Sequence, residues 1–159
     1  MKITDIKVTV WEWKDIPPTR YTLNVKSSGS STHMALVRII TDESIEGHAF
    51  LGNALSSLGN DANTIIERFK PMLVGQDPLA REKIFQRMMN WAMGPILRVI
   101  GAIDVALWDL AGKAAGVPIH KLMGSYRSSV PAYASSAVFE HTEEYAEEAV
   151  RYKEAGWSA

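Results

Sequence analysis

The stretch GAIDVALWDLAGK, residues 101–113, places Asp104 and Asp109 inside a run of apolar and small residues. Apolar residues recur there at the spacing of one helix face, which predicts an amphipathic helix. Gly94–Pro95 and Gly116 bound the run, so we expect the helix to occupy the residues between them. The stretch raises one question, which is whether its two carboxylates are catalytic groups or supports of the scaffold.

The spacing of the two aspartates argues against a shared catalytic role. Five residues along a helix amount to roughly 500° of rotation, so the side chains point about 140° apart. Asp109 precedes Lys113 by four residues, which is the spacing of a helical ion pair. We therefore predict that Asp109 pairs with Lys113 and that Asp104 accepts hydrogen bonds from nearby backbone. Gly101 and Gly112 cost helix stability, which predicts that a neighbouring element packs closely there.

The composition of the chain is that of an ordinary globular protein. Of its 159 residues, 47% are hydrophobic and 22% charged, and the net charge is −1. This balance argues against nucleic-acid binding and against an anionic membrane surface. Cysteine is absent, which excludes disulfides, thiolate metal sites and a cysteine nucleophile. The N-terminus lacks the apolar region of a signal peptide, so we expect a soluble, cytoplasmic protein.

The first third of the chain predicts a small antiparallel sheet. Strands are expected at residues 3–13, 34–40 and 44–50, and the sequence TDES between the last two suits a hairpin turn. Two polar segments, 14–33 and 50–60, are expected to be loops. The first is either a binding loop or a disordered connection, and its sequence leaves that choice open.

Helices are predicted for most of the remaining chain. Asn60 or Asp61 is the expected cap of the first helix, and Pro71 is expected near its end or at a kink. Asp77 is the expected cap of the second helix, with Pro78 at its first helical position.

One further strand and a final helix are predicted after the long helix. The sequence SVPAYASSAVF, residues 129–139, is typical of a strand. Thr142 is the expected cap of the helix that follows, and Gly156 its stop. The glutamates between Glu140 and Glu148 are predicted to form a solvated helix face.

The stretch GAIDVALWDLAGKAAGVPIHKLMG, residues 101–124, resembles the signature helix of the mandelate racemase and muconate lactonizing group of the enolase superfamily. The likeness runs through Ile103, Asp104, Ala106, Leu107, Asp109, Leu110, Gly112, Lys113, Pro118, Ile119, Leu122 and Gly124. Two departures leave the subgroup and the substrate open. Ser44 stands where the family often has a turn glycine, and EGHAFLG, residues 46–52, replaces the commoner glycine–tryptophan–glycine–glutamate ending.

The resemblance implies an α+β cap domain, residues 1–125, in which an antiparallel three-stranded sheet is followed by a helical bundle. Residues 126–159 would be the first strand and helix, the first βα unit of a truncated (β/α) barrel. Members of the family hold Mg²⁺ on later barrel strands, where the ion stabilises the enolate formed when a proton alpha to a carboxylate is removed. The chain would then supply the substrate-selecting cap, with no catalytic residue and no metal ligand of its own.

The resemblance also implies that the two loops close over the barrel mouth. Candidate substrate-binding residues are Arg20 and Tyr21 for a polar or anionic group, Phe50 and Leu51 for an apolar wall, and Ser135 and Ser136 near the end of the first barrel strand. His48 ends a strand beside the second loop, and it is either near the site or an ordinary hairpin histidine.

The full-length protein is expected to be a lyase or an isomerase, either a sugar-acid dehydratase, a racemase or epimerase, or a cycloisomerase. Its expected partners are a small-molecule carboxylate substrate, the remainder of the barrel and a second copy in a homo-oligomer. The alternative is a stand-alone cap-like module that binds a ligand or a partner without catalysis.

Overall fold

The computed structural model describes residues 1–15, 20–22, 25–26, 31–52, 58–91, 96–136 and 138–157. The chain divides into two compact units, the first made of Met1–Trp13 and Thr32–Tyr126 and the second of Lys14–Ser31 and Arg127–Ala159. The first unit carries a three-stranded sheet and helices. The second contains a two-stranded ribbon, β2 (Arg20–Thr22) with β3 (Val25–Lys26), and the last helix.

The sheet of the first unit has the strand order β1-β4-β5, with β1 at Ile3–Lys14, β4 at Ser31–Thr41 and β5 at Glu46–Gly52. Strands β4 and β5 form an antiparallel hairpin. The Asp42 N–H, just after β4, donates to the Lys2 carbonyl, just before β1, at 3.1 Å, so β1 is also antiparallel to β4. The predicted three-stranded antiparallel sheet is confirmed.

Alternation along β4 and β5 decides which side chains enter the core. Ala35, Val37 and Ile39 on β4 are fully buried, and Ala49 and Leu51 on β5 are almost so. Successive side chains of a strand point to opposite faces, so these residues share one face. That face packs against α4, Ile96–Ala115, whose buried stripe follows the predicted helical spacing and includes Val99, Ile103, Leu107 and Leu110.

The closest approach of sheet and helix lies at Gly47. A Cβ built on Gly47 would stand 2.0 Å from the Ala106 carbonyl oxygen and 2.8 Å from the Leu110 Cβ. No side chain fits at these distances, so only glycine lets β5 lie on the backbone of α4.

The two helical glycines of α4 have different surroundings. A Cβ on Gly112 would stand 3.1 Å from the Val117 carbonyl oxygen and 3.2 Å from Ile119 Cγ1. A Cβ on the exposed Gly101 would meet nothing within 4 Å in the described part of the chain. The predicted packing role is confirmed for Gly112 and is wrong for Gly101.

The predicted cap of the first helix is wrong. Helix α1 (Leu58–Asn63) already contains Asn60 and Asp61. The Asp61 carboxylate is 4% exposed and accepts two hydrogen bonds from Arg98, at 2.7 Å from Nε and 2.9 Å from Nη2. A buried carboxylate requires such a partner, so Asp61 joins α1 to the start of α4.

The helix continues through a π-helical stretch, Thr64–Phe69, into α2, Lys70–Leu73. The Lys70 N–H donates to the Ile65 carbonyl, five residues back. Pro71 follows, and a proline ring clashes with the carbonyl four residues before it in an α-helix. The wider π turn relieves this clash, and the helix ends two residues after Pro71, as predicted.

The second helix begins later than predicted. Helix α3 occupies Arg81–Met89 with Ala80 as its N-cap. Asp77 instead closes a separate turn, in which the Leu79 N–H donates to its Oδ1 at 3.0 Å and the Ala80 N–H to its carbonyl at 3.1 Å. This turn satisfies the Asp77 carboxylate locally, so it does not cap the helix.

Helix α4 ends where the sequence predicted. Gly116 follows it with a φ of +66°, a left-handed conformation that glycine adopts without strain. A short helix, α5, follows at Ile119–Leu122.

In the second unit, the predicted strand at residues 129–139 is absent from the described residues of that segment. A strand is defined by its ladder, and no described residue pairs with this segment. Helix α6 spans Thr142–Glu154. Its cap is His141 rather than Thr142, and the His141 N–H donates to the Glu144 carboxylate at 3.1 Å.

The glutamates at the start of α6 are exposed except for Glu148. The Glu148 side chain is 12% exposed and lies 3.5 Å from the Arg151 guanidinium. The predicted solvated face therefore holds for Glu143, Glu144 and Glu147 and is wrong for Glu148. The division into a cap, 1–125, and a barrel unit, 126–159, stays a prediction.

Gly47→Ala should destabilise the chain by ~3 kcal/mol, because the added methyl group forces β5 away from α4. The matched control is Gly52→Ala on the same strand, where a Cβ meets none of the described residues within 4 Å. Urea unfolding followed by circular dichroism measures both variants. Equal stability of the two variants would contradict the close approach.

Ser44→Gly should stabilise the chain by about 1 kcal/mol, because Ser44 holds a φ of +60° in the hairpin turn and such a conformation is strained for residues other than glycine. Ser44→Ala retains the strain and is the control. Thermal unfolding should show a higher midpoint for the glycine variant alone.

Candidate functional site

The outer edge of β5 is covered by side chains of α4 rather than by another strand. The His48 N–H donates to Asp109 Oδ2 at 2.8 Å, and Lys113 Nζ donates to the Glu46 carbonyl at 2.9 Å. Lys113 Nζ also lies 2.5 Å from Asp109 Oδ2, which confirms the predicted ion pair. We call Glu46, His48, Asp109 and Lys113 the edge cluster. Asp109 accepts from the strand N–H and Lys113 donates to the strand carbonyl, so these two side chains of α4 take the place of a fourth strand.

The His48 ring lies among these charges and is 38% exposed. Its Nδ1 is 2.8 Å from Lys113 Nζ and 3.5 Å from Asp109 Oδ2. Its Nε2 is 3.3 Å from Glu46 Oε2. Both ring nitrogens therefore face charged neighbours.

A cavity of about 420 Å³ opens beside the edge cluster at the C-terminal end of α4. It is lined by Asp109, Gly112, Lys113, Gly116, Val117, Pro118 and Ile119. Most of these residues offer apolar surface, and the two charges at the rim are paired with each other. The cavity therefore presents no unpaired charge to a ligand.

Asp104 lies in a second groove, of about 160 Å³, between α3 and α4. Arg81, Glu82, Phe85 and Trp108 line it with Asp104. The Arg81 guanidinium carbon is 3.2 Å from the Trp108 ring centroid, a cation–π contact. The predicted backbone hydrogen bonds to Asp104 are wrong, because no described donor lies within hydrogen-bonding distance of this carboxylate.

The two aspartates of the helix differ in how burial is compensated. Burial raises the pKa of Asp104, and the attraction of Arg81 opposes this only in part. Burial acts on Asp109 in the same direction, but the hydrogen bonds from Lys113 and from the His48 N–H hold its pKa below the ordinary value. One carboxylate faces α3 and the other faces β5, so they do not converge on one point.

Phe50, one of the predicted substrate contacts, is exposed on β5. Its side chain is 69% exposed, and its ring lies edge-on to Trp11 with centroids 6.3 Å apart. Trp13 is also exposed, so this end of the sheet carries an aromatic surface. Leu51 is 4% exposed and belongs to the core, because it follows Phe50 on the strand and points to the opposite face. Leu51 therefore does not share the exposed surface of Phe50, and the exposed neighbour of the Phe50 ring is Trp11, which the sequence analysis did not single out.

The other predicted contacts lie in the second unit. Arg20 and Tyr21 are in β2, and their side chains lie outside the described residues. Ser135 and Ser136 are exposed and lie outside the helices and strands. The Ser135 carbonyl accepts a hydrogen bond from the Tyr152 hydroxyl at 3.4 Å, which fixes this segment on α6.

Two general features of the described residues bear on function. No three of their histidine, aspartate or glutamate side chains are grouped so that they could hold a metal ion. In the same part of the chain, every helix is too short or too polar to span a bilayer.

Residues 4–124 match the family described as mandelate racemase / muconate lactonizing enzyme, N-terminal domain. The chain belongs to this family. The match covers most of the first unit, including the signature helix α4, and confirms the resemblance of residues 101–124.

Known proteins extend this relationship. The chain is 36% identical over 138 residues to the D-xylonate dehydratase of Haloferax volcanii, covering 78% of this chain and 31% of that protein. It superimposes on a member of the enolase superfamily from Polaromonas sp. JS666 with a TM-score of 0.84 and 28% identity, over 98% of this chain and 42% of that one. It also superimposes on a dipeptide epimerase from Enterococcus faecalis V583, complexed with Mg and the dipeptide L-Leu-L-Tyr. The TM-score is 0.82 and the sequence identity 26%, over 99% of this chain and 44% of that one.

The chain is much shorter than these relatives. It spans between 19% and 36% of the length of its curated relatives. It spans between 42% and 44% of the similar solved chains. The activity of the whole protein is therefore a matter for proposal.

Asp109→Asn and Asp104→Asn should change stability in opposite directions. A lowered folded pKa stabilises the fold above the unfolded pKa, so Asp109→Asn should cost about 1 kcal/mol at pH 7. A raised folded pKa means that the ionised form opposes folding, so Asp104→Asn should be more stable than the parent at pH 7.

Urea unfolding from pH 7 down to pH 3 checks both signs. The loss in Asp109→Asn and the gain in Asp104→Asn should each shrink as the pH falls and the parent carboxylates become protonated. Changes of the same sign at pH 7 would contradict the assigned surroundings.

Proposed function

We propose that the chain is the substrate-selecting cap of a longer enolase-superfamily enzyme that dehydrates a sugar acid. The observation that carries the proposal is the match of residues 4–124 to the N-terminal domain of this enzyme family. The D-xylonate dehydratase relative supports the reaction class. In this reaction a base removes the proton alpha to the carboxylate and a hydroxide leaves from the neighbouring carbon, so that water is lost and a 2-keto-3-deoxy acid forms.

The proposal includes Mg²⁺, which stabilises the enolate formed in this chemistry. The complex of the dipeptide epimerase with Mg supports the choice of ion. The described residues of this chain offer no group of ligands for it. We therefore assign the metal ligands and the catalytic base to barrel polypeptide other than these residues, and we expect the chain alone to be inactive.

Within the cap, we assign the apolar contact with substrate to Phe50. Its ring is exposed and lies edge-on to Trp11, whereas Leu51 points into the core and is not assigned a substrate contact. Arg20 and Tyr21 are proposed to contact the polar end of the substrate, and Ser135 and Ser136 to contact it from the predicted first barrel strand. These assignments extend the resemblance residue by residue, and each can be tested by substitution.

The location and assembly of the enzyme follow the same proposal. We place it in the cytoplasm, a location that a sequence without cysteine fits, and we expect a homo-oligomer. A racemase or epimerase is the second candidate reaction, supported by the likeness to the dipeptide epimerase. A stand-alone cap that binds a partner without catalysis is the non-enzymatic alternative.

The decisive experiment uses the complete product of the gene, purified with MgCl₂ and incubated with a panel of aldonic and aldaric acids. We expect formation of a 2-keto-3-deoxy acid, followed as its semicarbazone, and loss of this activity with EDTA. Deuterium exchange at the alpha carbon without loss of water would favour the epimerase. A complete gene product that ends at Ala159 and exchanges no proton would favour the binding module.

Phe50→Ala in the complete enzyme should raise KM by roughly tenfold. The substitution removes the proposed apolar contact with the bound substrate, and losing such a contact in a pocket costs on the order of 1–3 kcal/mol. Leu79→Ala is the control, because Leu79 is 52% exposed on the turn before α3, away from β5. Steady-state kinetics should show an unchanged KM for the control. An unchanged KM for Phe50→Ala would remove Phe50 from the substrate wall.

A further inference from the structure

The Lys113 ammonium donates to three acceptors at once. They are Asp109 Oδ2 at 2.5 Å, His48 Nδ1 at 2.8 Å and the Glu46 carbonyl at 2.9 Å. An ammonium has three N–H donors and no lone pair, so the contact with His48 requires a free lone pair on Nδ1. A ring that accepts this contact at Nδ1 is a neutral imidazole with its proton on Nε2, and Nε2 lies 3.3 Å from Glu46 Oε2.

We propose that His48 is a pH-dependent latch that holds Lys113 against the free edge of β5 only while its imidazole is neutral. Protonation places a hydrogen on Nδ1, opposite an ammonium 2.8 Å away. Two donors that both carry positive charge cannot keep this contact. The new Nδ1–H instead turns to Asp109 Oδ2, which lies 3.5 Å away. Lys113 then leaves the cluster, and the Glu46 carbonyl passes to solvent.

The charged groups around the ring come from all three elements packed against it. Glu46 lies on β5 itself, and Asp109 and Lys113 come from α4. Arg38 is the partner of His48 across the β4–β5 ladder, so it shares the same face of the sheet. Two carboxylates favour the protonated ring and two cations oppose it. Arg38 Nε is buried without a hydrogen-bond partner in the described residues.

The position of the latch gives it a structural consequence. It clamps the edge strand to α4 two residues before Phe50, on the same face of β5. Protonation of the ring should therefore loosen the hydrogen bond from Lys113 to the Glu46 carbonyl, while Asp109 keeps its hydrogen bond from the His48 N–H.

Nuclear magnetic resonance of the uniformly labelled chain between pH 5 and 8.5 tests the latch directly. At high pH the ring nitrogen shifts should show the tautomer with the proton on Nε2. The Lys113 Cε shift and the Gly47 amide shift should change in a step with the same midpoint as the His48 ring. His120 is exposed on α5 and lies outside the edge cluster, so its ring signals serve as the internal control.

Two variants separate the latch from a general effect of pH. His48→Gln should abolish the step in the Lys113 signal while the His120 titration stays as in the parent. Lys113→Met keeps the aliphatic stem, and in it the Gly47 amide should lose its step.

The proposal is overturned by a proton on Nδ1 at high pH, or by Lys113 signals that stay flat through the His48 titration. Both of these outcomes are measured on the parent chain, so they decide the question even if a variant does not fold. Activity of the complete enzyme is not needed for any of these measurements.

Discussion

The contact of Gly47 with the backbone of α4 is the constraint on which the first unit depends. With no Cβ at this position, β5 lies against the Ala106 carbonyl at a distance that no other residue allows. This closeness brings the next turns of α4 alongside the edge of the sheet. Asp109 and Lys113 then reach the His48 N–H and the Glu46 carbonyl. One missing methyl group thus determines both the packing of the core and the edge cluster.

The two aspartates show how one helix gives the same side chain different electrostatic roles. Both lose hydration on folding, which opposes the charged form. Hydrogen bonds from Lys113 and from the His48 N–H stabilise the ionised form of Asp109 by more than burial destabilises it. Asp104 receives no hydrogen bond from the described residues, and the charge of Arg81 compensates its burial only in part. Their difference therefore comes from the elements that each faces, β5 and α3, rather than from the helix itself.

Sequence patterns predicted the elements better than their ends. The alternation of β4 and β5 and the apolar stripe of α4 are set by burial on one face, so they can be read from residue order. Whether an aspartate caps a helix depends on which hydrogen-bond donors lie near its carboxylate in the folded chain. Asp61 pairs with Arg98 and Asp77 closes its own turn, so neither caps a helix. The strand at 129–139 failed for a related reason, since a ladder needs a neighbour that the pattern does not supply.

Among the candidate site residues, both Phe50 and Leu51 were expected on an exposed surface, but only Phe50 is exposed. The strand was expected to end at Phe50, whereas it continues to Gly52, so strict alternation sends Leu51 into the core. Trp11 contacts Phe50 because β1 and β5 lie on either side of β4. The order of strands in a sheet cannot be read from the sequence pattern.

The sequence alone determined the family, the antiparallel sheet, the extent of α4 and the Asp109–Lys113 pair, because each rests on local spacing or on a long signature. Tertiary structure decided that Gly47 rather than Gly101 marks the close contact. It also decided that Asp109 covers a strand edge, and that His48 lies between a lysine and two carboxylates. These facts depend on distances between residues about 60 positions apart, and such distances are fixed only when the core packs.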